Sequence, residues 1–226
     1  MCGCCDCDDC VEAACCCLPY HVRKNMKDCL ICLAVLLVAA AIVAGVVVAV
    51  LYGRPLRRAK IRVVDASLTR FDLVMPDTPT TALAYNLTLA LTLRNTNWPI
   101  GITYDDPLDA AYSFDGQQFD RVQVADAGGK VGGSKTVVYH LSSGSEEGRA
   151  VLLGNAGEAE FRKENATGVF EVDVALTGKF KYTLRWTKCK IEATCQLKLQ
   201  LAPPGATAVV FQEVDCEVAK SEDKNC

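Results

Sequence analysis

The sequence predicts a mainly β protein, in which a single N-terminal transmembrane helix is followed by an antiparallel β-sandwich with one short helix. Three observations predict it. An uncharged apolar run lies near the N-terminus, apolar and polar residues alternate with period two from about residue 60 onward, and turn signals separate the alternating runs.

The 226 residues suffice for one domain with accessory segments. A formal net charge of −3 supplies no field for nucleic acid, so no nucleic-acid partner is expected. His21 and His140 are the only histidines, which removes most catalytic and metal schemes built on imidazole. The 14 cysteines fall into two populations: ten precede residue 33, and the rest are Cys189, Cys195, Cys216 and Cys226. A secreted disulfide scaffold would spread its cysteines through the fold.

Residues 1–28 form a cysteine-rich tail, expected in the cytosol. Cys15, Cys16 and Cys17 lie beside the membrane segment and are the preferred lipidation sites, as juxtamembrane thiols suited to S-palmitoylation. Two other readings stay open: soft-metal binding by Cys2, Cys4, Cys5, Cys7 and Cys10, or a low-complexity tail with little role. Residues 29–52 carry no charge and as a helix would span about 36 Å, more than a bilayer core of about 30 Å. The run is too long and starts too late for a cleaved signal peptide. Residues 53–62 are a basic linker containing Arg54, Arg57, Arg58, Lys60 and Arg62, read first as a stop-transfer flank. That excess of positive charge argues for a cytosolic domain. The acceptor triplets at Asn86 and Asn165 matter only on a translocated domain, and the crowded thiols suit a reducing compartment. The preferred orientation puts the N-terminus in the cytosol and the domain outside.

The domain is placed at 63–220, with a tail at 221–226. Its clearest strand is 85–94, where Leu87, Leu89, Leu91 and Leu93 share one face and Asn86, Thr88, Thr92 and Arg94 the other. Over 168–186, Phe170, Val172, Val174, Leu176, Phe180, Tyr182, Leu184 and Trp186 keep one parity, which predicts a long strand bent at Gly178. Shorter strands are expected at 60–69, 100–104, 110–114, 136–141, 195–201 and 208–218. A helix is expected over 146–153, capped by Ser145 with acids in its first turn. Short antiparallel strands at this spacing imply a sandwich.

The stretch from Leu89 to Phe119 carries a family resemblance. An alternating strand leads into Asn95-Thr96-Asn97-Trp98-Pro99, then Gly101-Ile102-Thr103-Tyr104-Asp105, then an aromatic strand and a glycine turn. This resembles the plant family related to non-race-specific disease resistance and harpin-induced proteins, whose domain is the late embryogenesis abundant group 2 (water-stress and hypersensitive-response) domain. The family turn is Asn-Pro-Asn. Here Thr96 replaces the proline, while Asn95 and Asn97 keep the side chains that bond nearby backbone. The resemblance implies an immunoglobulin- or fibronectin-type sandwich outside the plasma membrane, with a part in defence or abiotic stress.

No enzyme motif survives inspection. The glycine run 128–135 has Ser134 before Lys135, the reverse of a phosphate loop. Asp105 and Asp106 read as turn acids. No cofactor is expected. If the domain lies outside, Cys189, Cys195 and Cys216 are disulfide candidates: Cys195 with Cys216 would tie two late strands, and Cys189 with Cys195 would close a small loop. The expected function is a membrane-anchored, non-enzymatic interaction protein. The alternative is a lipid-binding or membrane-contact protein with an apolar groove, which a small inward residue such as Gly178 would favour.

Overall fold

The protein is described here from a computed structural model covering residues 26–53, 56–74, 81–183, 188–202 and 209–219. The lipidation candidates Cys15, Cys16 and Cys17 lie outside these residues. Two compact units divide between Arg54 and Pro55.

The first unit is helix α1, Met26–Gly53. Its stretch Leu30–Val50 is long and apolar enough to cross a membrane, with a mean hydropathy of 3.2. Side chains from Leu30 to Ala49 are exposed on every side of the helix. A helix apolar all round needs an apolar surrounding, which lipid supplies.

The second unit is a β-sandwich. Its strands are β1 Lys60–Val74, β2 Ala82–Arg94, β3 Ile102–Tyr104, β4 Leu108–Phe114, β5 Gln117–Ala125, β6 Lys130–Val131 and β7 Thr136–Ala150. After helix α2, Gly154–Thr167, come β8 Val169–Tyr182, β9 Lys188–Gln200, β10 Val214–Asp215 and β11 Glu217–Val218. One sheet runs β10-β1-β2-β7. The other runs β11-β9-β8, and β8 then meets both β3, which pairs with β6, and β4, which pairs with β5. All named strand pairs are antiparallel.

The alternating faces meet over one core. Leu87, Leu89, Leu91 and Leu93 are buried on β2 opposite Phe170, Val172, Val174 and Leu176 of β8 and Ile191, Cys195 and Leu197 of β9. Phe71 sits in an aromatic cluster, with ring centroids 5.4 Å from Phe114, 5.9 Å from Phe161 and 4.6 Å from Phe170. Such edge-to-face, stacked and tilted pairs add to the area term.

Several expectations need correction. Residues 146–150 are not helical: β7 runs on to Ala150, opposite Ala82 of β2. The helix begins only at Gly154, and Phe161 and Glu164 form its buried face. Strands β5 and β6 were not expected, and of 208–218 only the two short pieces β10 and β11 are strand. As expected, one strand, β8, passes through Gly178, with no break in its pairing to β9. A Cβ at Gly178 would lie 3.2 Å from the Pro107 carbonyl and 3.3 Å from Leu108 Cα. The missing side chain makes room for the chain crossing from β3 to β4, rather than for a ligand. Trp186 lies outside the described residues.

Candidate functional site

The end of the sandwich where the chain enters β1 is built around Asn95 and Asn97. Both are buried, at 0% and 7% exposure, so their amides need internal partners. Asn95 Nδ2 donates to the carbonyls of Ile100 at 2.8 Å and Gly132 at 3.2 Å. Its Oδ1 accepts from the Asn97 main-chain N–H at 3.0 Å and side-chain amide at 3.2 Å. This arrangement closes the turn on itself and fixes Asn97.

Asn97 then acts across 40 residues of sequence. Its Oδ1 accepts from Arg57 N at 2.6 Å and its Nδ2 donates to Arg57 O at 2.6 Å. The amide thus reads one residue's N–H and C=O together, as a neighbouring strand would. Thr96 Oγ1 adds a bond to the Arg58 carbonyl at 3.1 Å. The turn therefore clamps the linker only four positions after the last residue of α1. The peptide between Trp98 and Pro99 is cis, and the Trp98 ring is 66% exposed.

Around the clamp lies an open groove of about 750 Å³, lined by Arg57, Arg58, Lys60, Arg62 and Arg94 among others. Arg62 is engaged: its Nε is 2.6 Å from Asp215, its Nη1 3.0 Å from Glu213. Hydrogen bonding to Asp215 holds the Arg62 pKa above its ordinary value, and the same contact holds Asp215 below its own.

Elsewhere the polar chemistry is structural. Asp120 of β5 is buried, and its Oδ2 accepts from the Ser143 hydroxyl. The Ser143 oxygen lies 3.2 Å from the Tyr85 hydroxyl. Arg149 Nη1 is 2.7 Å from Asp120 Oδ1, an ion pair without hydrogen-bond alignment. Burial works to raise the Asp120 carboxyl. The hydrogen bonds from Ser143, Tyr85 and the Arg121 backbone, with Arg149, outweigh burial and hold it below the usual range. Burial first, then Asp120, pushes the Tyr85 phenol up to about 12. The turn acids Asp105 and Asp106 are ion-paired, Asp105 to Lys188 at 2.6 Å and Asp106 to Lys179 at 2.8 Å. Among the described residues, no three or more His, Cys, Asp or Glu side chains are placed to hold a metal.

Asn86 is exposed on the outer face of β2, and Asn165 is exposed in the last turn of α2. Cys195 and Cys216 form a disulfide. Cys189 is also disulfide-bonded. Cys216 lies between β10, which pairs with β1 in one sheet, and β11, which pairs with β9 in the other. The Cys195–Cys216 bond thus staples the chain where it crosses between sheets. Sequence reasoning located Asn95 and Asn97 as a turn but missed their hold on Arg57. It missed the Asp120 network altogether, since a buried acid breaks the alternation of β5.

An apolar helix joined to an antiparallel sandwich by a clamped basic linker defines a class of β-sandwich proteins with an N-terminal apolar helix. No protein-family model matches the chain. NDR1/HIN1-like protein 10 of Arabidopsis thaliana is 29% identical over 199 residues, covering 83% of each chain. NDR1/HIN1-like protein 3 of the same plant is 31% identical over 198 residues, covering 84% of this chain and 77% of its own. The chain belongs to the NDR1/HIN1-like family.

Proposed function

We propose that α1 anchors the chain in the plasma membrane with its N-terminus cytosolic, and that the sandwich is displayed outside. There it acts in plant defence or stress responses through contacts with other proteins, without catalysis. The similarity to NDR1/HIN1-like proteins along most of the chain carries this reading. The Cys195–Cys216 disulfide supports the outside placement, because disulfides persist in oxidising compartments. The exposed Asn86 and Asn165 offer acceptor sites there. The non-catalytic reading is supported by the shifted groups, which serve structure: Asp120 is hydrogen-bonded and ion-paired within the sandwich, and Tyr104 and Tyr112 are shifted up by burial. The acyl-groove alternative gains no support from Gly178 or from the interior, where Phe71, Phe114, Phe161 and Phe170 fill the space between sheets.

The test is expression of the full chain in plant cells, comparing wild type with Asn86→Gln/Asn165→Gln. A glycosidase-sensitive shift in the wild type that the double variant loses is expected. A chain with no shift whose domain is also protected from protease inside sealed right-side-out vesicles would overturn the outside placement.

A further inference from the structure

The basic residues of the sandwich divide sharply by location. Every described Arg and Lys away from the clamped end, except Lys130, sits at 3.7 Å or less from a carboxylate. At the clamped end, Arg57, Arg58, Lys60, Arg94 and Lys135 are all exposed, and none has an ion pair among the described residues. Lys60 and Arg94 are direct register partners on β1 and β2. Like charges placed directly opposite each other disfavour strand pairing. A flank serving only as a stop-transfer signal needs no fixed conformation, yet Asn97 holds Arg57 by both main-chain groups and Thr96 holds Arg58. Trp98, next to the clamp in the chain, is exposed beside it, and tryptophan is the residue most at home at a lipid–water interface.

The geometry points to a docking surface for acidic, phosphate-bearing lipid headgroups of the bilayer that α1 enters, with Arg57, Arg58, Lys60 and Arg94 meeting the phosphates and Trp98 the interface. The proposal rests on α1 spanning a membrane and not on which face of the bilayer the sandwich meets. The occupant is argued from charge: basic side chains with no ion pair among the described residues, around an open groove of about 750 Å³, are complementary to a layer of phosphates. In the sequence, Arg57 follows the last residue of α1 by four positions.

The test uses the full chain carrying Trp186→Phe, which leaves Trp98 as the sole tryptophan. The chain is placed in lipid nanodiscs of phosphatidylcholine alone or enriched in phosphatidylserine, with lipids brominated high on the acyl chain as quenchers. Quenching of Trp98 is expected to be about threefold stronger in the acidic discs, because an anionic surface draws the basic side chains toward it. It should fall to the phosphatidylcholine level in about 1 M salt, where the screening length is about 3 Å. Charge reversal in Arg57→Glu/Arg58→Glu/Lys60→Glu should abolish the difference. The milder Arg58→Gln/Lys60→Gln should roughly halve it and guards against loss of fold. Equal quenching in both lipids, unmoved by charge reversal, overturns the docking surface. Inorganic phosphate reproducing the effect in phosphatidylcholine discs also overturns it, in favour of a soluble-anion site. Failure of the chain to enter discs at all removes the membrane reading beneath it, a result distinct from either.

Discussion

Asn95 is the residue on which the clamped end depends. It is fully buried and bonds two carbonyls and both nitrogens of Asn97. Asn95→Ala leaves several of those groups without partners, at roughly 1–3 kcal/mol each, so a loss of about 3 kcal/mol is expected in chemical denaturation. Asn97→Ala should cost less globally. Its signature is local: faster hydrogen exchange at Arg57, with the amides of β8 unchanged. Unchanged exchange at Arg57 would refute the clamp. Asp120 gives a pH-dependent prediction. Its folded pKa is depressed, so its stabilisation is present above the unfolded value of 3.8 and is lost as pH falls through the folded value. Glu164 has the opposite sign: burial raises its pKa, so its ionised form penalises folding as pH rises past 4.5. Asp120→Asn should therefore flatten the acid limb of the stability profile, while Glu164→Gln should raise stability at neutral pH. Thermal melts across pH check both. At this scale the sequence was only half legible. Asn95 and Asn97 announce a turn because their side chains bond close by, but Asn97's other partner lies 40 residues upstream, beyond any local signal.

Among the elements, alternation revealed the central strands because both of their neighbours are strands and one face is wholly buried. β9 keeps its buried–exposed alternation from Lys188 to Gln200 without a break, and β8 nearly so. The reading failed where tertiary pairing overrode local propensity. Ser145, Glu146 and Glu147 look like a cap and a first helical turn, yet Tyr85 lies opposite Ser145 and Leu83 opposite Arg149, and those ladder bonds keep the segment extended. Gly148, at φ +86°, packs against Val74 and Ala82 and lets the strand pass close to β1 and β2. The true helix was hidden by Gly154 and Gly157 in its first turn, poor helix formers whose place is secured by Phe161 in the aromatic cluster. Phe161→Ala should consequently cost about 3–5 kcal/mol. The Cys195–Cys216 bond closes a separation of 21 residues, for which chain entropy gives roughly 3 kcal/mol. Cys195→Ala/Cys216→Ala should lower the denaturant midpoint accordingly. A midpoint unmoved in the double variant would mean that the ladder from β10 to β1 and β11 to β9 holds the crossing without help.

At the scale of the whole chain, one set of charges is asked to do two incompatible things. Arg54, Arg57, Arg58, Lys60 and Arg62 follow the uncharged run 29–52, against Arg23, Lys24 and Lys27 before it. By the positive-inside rule that excess retains the following domain in the cytosol. The folded sandwich gives four of those charges another use: Arg57 is clamped by its main chain, Arg62 is neutralised by Asp215 and Glu213, and Arg58 and Lys60 line the groove. If the domain is translocated as proposed, orientation rests on the three basic residues before the uncharged run, acting against a larger opposing bias. Arg23→Ser/Lys24→Ser/Lys27→Ser should then invert a large share of the chains, seen as an unglycosylated population protected from external protease. Arg57→Ser/Arg58→Ser should move nothing in topology, because it lowers the opposing bias, and should weaken only the contact made at the clamped end. The opposite pattern, with inversion caused by the variant after the helix and none by the variant before it, would show that the charge count does not govern this chain.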